Sequence, residues 1–312
     1  MKCNCEENCI KHKEEVLKDI TQRYLACPDC YTKTLKKAIP IKRQIKLTQL
    51  DKNYKKCESC GKRHMDIVMA HILKIMIEEK QISSSASIRK VGTPLITPAI
   101  SLDRLPYLTD KSLVLITTTC NQKTAEKITK KIPEVKAVIK GNTDETVGKL
   151  TENTQTNSYE VLSGCDIRCD IQYTDTEPVI LYKKQSKIHI EYPKVESPKI
   201  NQLKEVLDKY ENPKVLDAMC GPGTLGIYAK LKNAKFVHFN DIYLESIDSL
   251  KTNLKINEIS EESYEITNEN LLELPDVLDT HFDIGIVDAF PDVETLGYVE
   301  SLNRICDEVI II

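Results

Sequence analysis

The sequence predicts an α/β chain in three parts, ending in a doubly wound domain on a parallel sheet, and three observations carry that prediction. From about residue 196 onward, strand-like runs ("KVLDA", "KFVHFN", "SYEIT", "DIGIVDA", "DEVIII") alternate with helical stretches. Strand and helix taken in turn imply a parallel, Rossmann-like sheet, here with five recognisable strands. Ahead of it, "SLVLITTT", "QKTAEKITKKI" and "VKAVIKG", then "SYEVLSG", "CDIRCDIQYT", "PVILYK" and "KIHIEY", read as a small α+β domain. The third observation is a change of composition at the N-terminus, which is basic and rich in cysteine. The expected division is a cysteine-rich module over 1–80, a linker over 81–110, a middle domain over 111–195 and the Rossmann-like domain over 196–312.

In the first part, "CPDC" (Cys27, Cys30) and "CESCGK" (Cys57, Cys60) are separated by 26 residues. Two knuckles of this kind bring four thiolates to one closed tetrahedral Zn²⁺ site, which leaves no position for a reacting water and so predicts a structural metal. An iron–sulfur centre and incidental thiols are the other readings. Gly61 is placed to take the left-handed backbone after the second knuckle. Cys3, Cys5 and Cys9, with His12 near them, are either a second metal site or reactive thiols of a terminal segment. Cys165, Cys169, Cys220 and Cys306 lie in or beside strands and read as small buried apolar residues.

Between the knuckles the chain is strongly basic, with Lys33, Lys36, Lys37, Lys42, Arg43, Lys46, Lys52, Lys55, Lys56, Lys62 and Arg63 against Asp51 and Glu58, while the whole chain of 312 residues has a net charge of only -3. A nucleic-acid-facing surface and a solvated lysine-rich face both fit this pattern. Ile67, Val68, His71, Ile72, Ile75 and Met76 follow at helical spacing, which predicts an amphipathic helix packed on the module. The Ser- and Pro-rich stretch from Gln81 to Pro106 reads as a connection. No apolar run is long enough to cross a bilayer and the N-terminus does not read as a secretory signal, so a cytoplasmic protein with no membrane partner is expected.

In the third part "VLDAMCGPGTLGI" spells GxGxxG through Gly221, Gly223 and Gly226. A dinucleotide loop offers backbone N–H groups to a pyrophosphate, and the Asp217 carboxylate would repel that anion. It suits instead a cofactor with an ammonium and a sulfonium, S-adenosylmethionine. Asp241, at the end of the next strand, is placed to accept from ribose hydroxyls. The plainer reading gives the glycines a tight turn and close helix packing only. After the fourth strand, "DIGIVDAFPDVE" should face the transferred group: Asp288 to orient or deprotonate an N–H, Phe290 to stack on a base, Pro291 to fix the turn. A strand-end cap and a core ring are the alternative roles of Asp288 and Phe290. The chain stops at the fifth strand, which predicts a sheet edge covered by a homodimer mate or another partner.

"AEKITKKIPEVKAVIKG", "YEVLSG", "CDIRCDI", the glycine loop and "FNDIYLESIDSLKTNLKIN", with Asn240-Asp241 followed by Asn253 and Asn257, resemble the archaeal and eukaryotic tRNA guanine N1-methyltransferases. The wybutosine-pathway aminocarboxypropyl transferases share this class I, S-adenosylmethionine-dependent family. The resemblance covers roughly residues 120 to 290. It implies that Asp217, Gly221 and Gly223 line the methionine end of the cofactor, Asp241 its ribose and Asn270 its adenine. It implies tRNA as partner and a tRNA base as methyl acceptor. Ser197-Pro198-Lys199 stands where the family has Ser-Pro-Arg, and Asp288-Ala289-Phe290-Pro291 replaces its Asn-Leu-Pro.

Overall fold

A computed structural model of the chain describes residues 1–3, 5, 8–143, 159–290 and 293–312. Three short helices, α1 (Lys13–Leu17), α2 (Ile20–Arg23) and α3 (Leu50–Asn53), precede α4 (Met65–Glu78). The His64 ring caps α4 by accepting from the Asp66 amide at 3.3 Å. The expected amphipathic helix is buried on nearly every side, with Ile67, Val68, Met69, Ala70, Ile72, Leu73 and Met76 all in the core. The reason is its position: the N-terminal module covers one face and the middle domain another, and a single apolar core runs through both.

The expected linker over 81–110 is built into the fold. Strand β1 (Arg63–His64) pairs antiparallel with β3 (Tyr107–Leu108), and β2 (Thr93–Ile96) pairs antiparallel with β4 (Leu113–Thr117). The Ser and Pro content concealed this, since Pro94 sits on an edge strand, where a missing N–H costs little. From β4 the chain crosses through α5 (Gln122–Lys131) to the parallel strand β5 (Val135–Lys140), and β6 (Glu160–Gly164) completes a sheet of order β2-β4-β5-β6. Strands β7 (Ile167–Gln172) and β8 (Val179–Lys184) form a separate antiparallel hairpin. "KIHIEY" is not a strand. Its alternation is real, with Ile188 and Ile190 buried and His189 and Glu191 more open, but the whole segment lines a cavity and, among the described residues, no strand pairs with it.

The C-terminal part follows its expected order: α6 (Pro198–Leu207), β9 (Lys214–Asp217), α7 (Thr224–Lys232), β10 (Phe236–Asn240), α8 (Leu244–Ile256), β11 (Tyr264–Thr267), α9 (Leu274–Val277), β12 (Phe282–Val287), α10 (Leu296–Leu302) and β13 (Cys306–Ile311). All neighbours pair in parallel in the order β11-β10-β9-β12-β13. The order reverses at β9, and in such sheets the crevice beyond the strand ends at the reversal is where a ligand sits.

The boundary expected at residue 195 does not separate the cores. In β8, Val179 and Leu181 belong to the C-terminal core, whereas Ile180 and Tyr182 belong to the N-terminal one. Asn253 of α8 and Asn257, which caps that helix, act as the missing neighbour of this strand. Asn253 accepts from the Tyr182 amide at 2.7 Å and donates to its carbonyl at 3.1 Å. Asn257 treats Ile180 in the same way, at 2.9 and 2.7 Å. Buried backbone groups on a strand edge need partners, and these side chains supply them.

Candidate active site

The carboxyl ends of β9, β10 and β12 open into a cavity of about 420 Å³, with the irregular segment Lys187–Glu191 as its far wall. It brings together Asp217, Gly221, Asp241, Asn270, Asp288 and Phe290, six of the residues singled out from the sequence.

Asp217 is the last residue of β9 rather than part of the following turn, and it is fully buried. Its Oδ2 accepts from the Gly226 amide at 2.8 Å. Glycine is required there, because a Cβ on residue 226 would stand 2.2 Å from the Phe239 ring and 2.8 Å from that same Oδ2. Oδ1 is buried and, among the described residues, has no hydrogen-bond partner. Burial above all, with Asp288 and Asp241 nearby, pushes the Asp217 carboxyl up to about 8, against the pull of the Gly226 amide and Lys199. An ammonium placed beside that oxygen would relieve both the desolvation and the unmet acceptor.

Gly221 takes φ +53°, and its amide donates to Asp241 Oδ2 at 2.7 Å. Asp241 Oδ1 accepts from the Tyr243 amide at 2.8 Å, so this carboxylate shapes two loops while retaining lone pairs toward the cavity. Burial raises it above the usual carboxylate range. Asn270 caps a short 3₁₀ turn by accepting from the Leu272 amide at 3.1 Å. Gly223 is not on the cavity wall. It starts α7 at φ +100°, where a Cβ would meet Leu250 at 2.5 Å, so its role is helix entry and packing. Pro291 lies outside the described residues.

Just after β12, Lys199 Nζ donates to both oxygens of Asp288, at 2.7 and 2.8 Å. Burial raises the Asp288 carboxyl even so. Burial also works against the Lys199 ammonium, but Asp288 and Glu191 outweigh it and raise its pKa. The His189 ring meets Phe290 edge to face at 5.2 Å, and its Nε2 lies 3.4 Å from Glu191 Oε1. Burial opposes ionisation of Glu191, yet His189, Lys183 and Lys199 hold it well below its ordinary range. His189 and Glu191 were missed in the sequence. The polar side of "KIHIEY" was their only signal, and it reads equally as the solvent face of a strand.

Outside this cavity, Cys27, Cys30, Cys57 and Cys60 converge, with Sγ separations of 3.6 Å (Cys27 to Cys30), 3.5 Å (Cys27 to Cys57) and 3.4 Å (Cys30 to Cys60). Gly61, at φ +69°, donates to the Cys57 carbonyl, and Ser59 Oγ reaches across to Asp29 on the other knuckle at 2.6 Å. Around them Leu35, Ile41, Ile45 and Leu50 are buried, while Lys36, Lys37, Lys42, Arg43, Lys46, Lys52 and Lys55 are exposed. Arg63 instead turns inward to the buried Glu134 at 3.1 Å. Cys165, expected to be a packing residue, stands in a second group of thiols with Cys3, Cys5 and Cys9.

Residues 200–288 match the family model of the methyltransferase small domain. That match bears out the resemblance to class I S-adenosylmethionine-dependent methyltransferases, and the parallel sheet of five strands fits such a domain. Similar solved structures include the complex of aTrm5 with tRNALeu, at 19% identity and a TM-score of 0.42, over 67% of this chain and 57% of that one. Trm5b from Pyrococcus abyssi is similar at 17% identity and 0.42, over 69% and 56%. The M. jannaschii tRNA m1G37 methyltransferase follows at 17% and 0.41, over 70% and 58%. The chain therefore spans little more than half the length of these structures. A comparison with curated proteins finds no match.

Proposed function

We propose that this protein is an S-adenosylmethionine-dependent methyltransferase that modifies a base of an RNA, most specifically a tRNA. The observation that carries the cofactor is the unpartnered, buried Oδ1 of Asp217 on the cavity wall. Asp217 would hold the cofactor's ammonium, Asp241 its ribose hydroxyls and Asn270 its adenine, while Gly221 keeps the loop open beside them. When bound, S-adenosylmethionine supplies an already activated methyl group, so the protein has mainly to position the acceptor.

That positioning falls to the far end of the cavity. Phe290, steadied by His189, offers a ring on which a base can stack. Asp288 accepts from an N–H of that base and takes up its proton, while Lys199 keeps the carboxylate charged. Support for an RNA acceptor comes from the family motifs in residues 120 to 290 and from the exposed lysines between the two CxxC knuckles. The spacing of the knuckle sulfurs suits a structural Zn²⁺, which would hold that basic loop in place.

Purified protein, methyl-labelled S-adenosylmethionine and unfractionated tRNA, followed by nucleoside analysis, test the proposal. A labelled nucleoside is the expected result. Label that survives nuclease digestion of the acceptor would move the target to a protein or metabolite. Cofactor binding without methyl transfer would point to the aminocarboxypropyl group as the part transferred, and absence of both would leave a non-catalytic RNA-binding protein.

A further inference from the structure

Cys3, Cys5, Cys9 and Cys165 offer sulfurs that all lie within 4.8 Å of one another, although Cys165 is 156 residues away from its nearest partner in the chain. The individual Sγ separations are 3.0 Å for Cys9 to Cys3 and 3.8 Å for both Cys3 to Cys165 and Cys9 to Cys165. A tetrahedral ion with Zn–S bonds of about 2.3 Å places its sulfurs roughly 3.8 Å apart. A cubane iron–sulfur cluster, whose cysteines each bind a different iron, holds them several ångströms further apart.

The surroundings repeat those of the CxxC pair. The Cys5 amide donates to Cys3 Sγ at 3.2 Å, as the Cys27 amide donates to Cys30 Sγ at 3.3 Å. Gly164, at φ +82°, precedes Cys165 as Gly61 follows Cys60, and a Cβ there would stand 2.1 Å from the Lys136 carbonyl. Lys136 places a cation near Cys9 and Cys165, which suits a tetrathiolate whose charge exceeds that of the metal. Thiols from two distant segments of chain do not otherwise gather, since they gain little from one another as neutral groups.

We infer that Cys3, Cys5, Cys9 and Cys165 bind a second structural Zn²⁺, which clamps the N-terminal segment onto the turn between β6 and β7. The consequence is mechanical. That segment also meets both sides of the junction, since the Met1 amine lies 3.1 Å from Thr252 Oγ1 on α8 of the C-terminal part, and the Lys11 amide donates to the Tyr182 hydroxyl on β8 at 2.9 Å. The ion would lock the terminus across the junction that the Asn253 and Asn257 ladder holds from below.

Elemental analysis of the full chain tests this independently of the methyltransferase reading. Wild type should carry two zinc ions per chain, Cys165→Ser one, Cys27→Ser one, and the double variant none. Cys5→Ser lies on the terminal segment rather than in a sheet and should also lose one ion while keeping the wild-type circular dichroism, so misfolding of Cys165→Ser cannot obscure the result. One zinc in the wild type, retained by Cys165→Ser and Cys5→Ser, would overturn the inference. So would iron with acid-labile sulfide that these two variants lose.

Discussion

Asp170 on β7 and Asp217 on β9 are both buried carboxylates, and their partners differ completely. Asp170 faces two cations, with Arg168 Nη2 at 2.9 Å from one oxygen and Lys183 Nζ at 2.7 Å from the other. Arg168 continues the network by donating to the carbonyls of Ile96 at 3.1 Å and Glu191 at 3.3 Å and to Gln185 Oε1 at 2.9 Å. Asp217 has one backbone donor and one bare oxygen. The first is a closed structural unit. The second keeps an acceptor without a donor at a cost in stability, which is the feature the proposed cofactor contact rests on. The two are linked, because the Arg168 network fixes the segment carrying His189 and Glu191, which lines the same cavity as Asp217.

The largest effect should come from opening the closed unit. Asp170→Asn leaves Arg168 and Lys183 buried without their counter-charge, and should lower the unfolding free energy by about 3–5 kcal/mol in urea titration. A loss under about 1 kcal/mol would mean that water reaches these cations and that the unit is not closed. Asp217→Asn should do the opposite job: a folded protein whose affinity for S-adenosylmethionine, read by calorimetry, falls by roughly a hundredfold, since a charge-assisted contact is lost. Unchanged affinity would remove Asp217 from the cofactor site.

Asn257→Ala leaves the buried N–H and C=O of Ile180 without partners. It should cost about 1–3 kcal/mol, with faster hydrogen exchange at Ile180 than elsewhere on the hairpin. Equal exchange across β7 and β8 would show that the hairpin opens as a unit rather than at the ladder.

The Asp217 carboxyl also gives a pH dependence of definite sign. The Asp217 carboxyl stays protonated in the free folded protein up to about 8, whereas an unfolded Asp ionises near 3.8. Its contribution therefore favours the fold below that lower value and is lost as pH rises through the interval, so wild type should lose stability relative to Asp217→Asn between these limits. A cationic ligand needs the ionised form, so affinity for S-adenosylmethionine should rise with pH by at most about tenfold per unit and level off near 8. A flat binding profile in the wild type would separate the ammonium from Asp217.

The sequence by itself determined what is encoded within a few neighbouring residues. The two-residue spacing of Cys27 and Cys30 and of Cys57 and Cys60, the order of strand, acid, glycine loop and helix around Asp217, and the alternation that builds the parallel sheet all depend on local geometry, and all were legible. Tertiary structure alone decided what depends on separate segments meeting. Cys165 joins Cys3, Cys5 and Cys9 only because the turn after β6 packs against the terminus. His189 and Glu191 reach the cavity because the segment that carries them, anchored by the buried Ile188 and Ile190, packs along its wall. Gly223 and Gly221 look equivalent in the motif, yet one packs against Leu250 and the other lines the cavity, since helix placement and not residue type fixes which backbone faces that space. Local spacing is set by bond lengths and torsions, whereas a distant contact is set by the packing of a whole core.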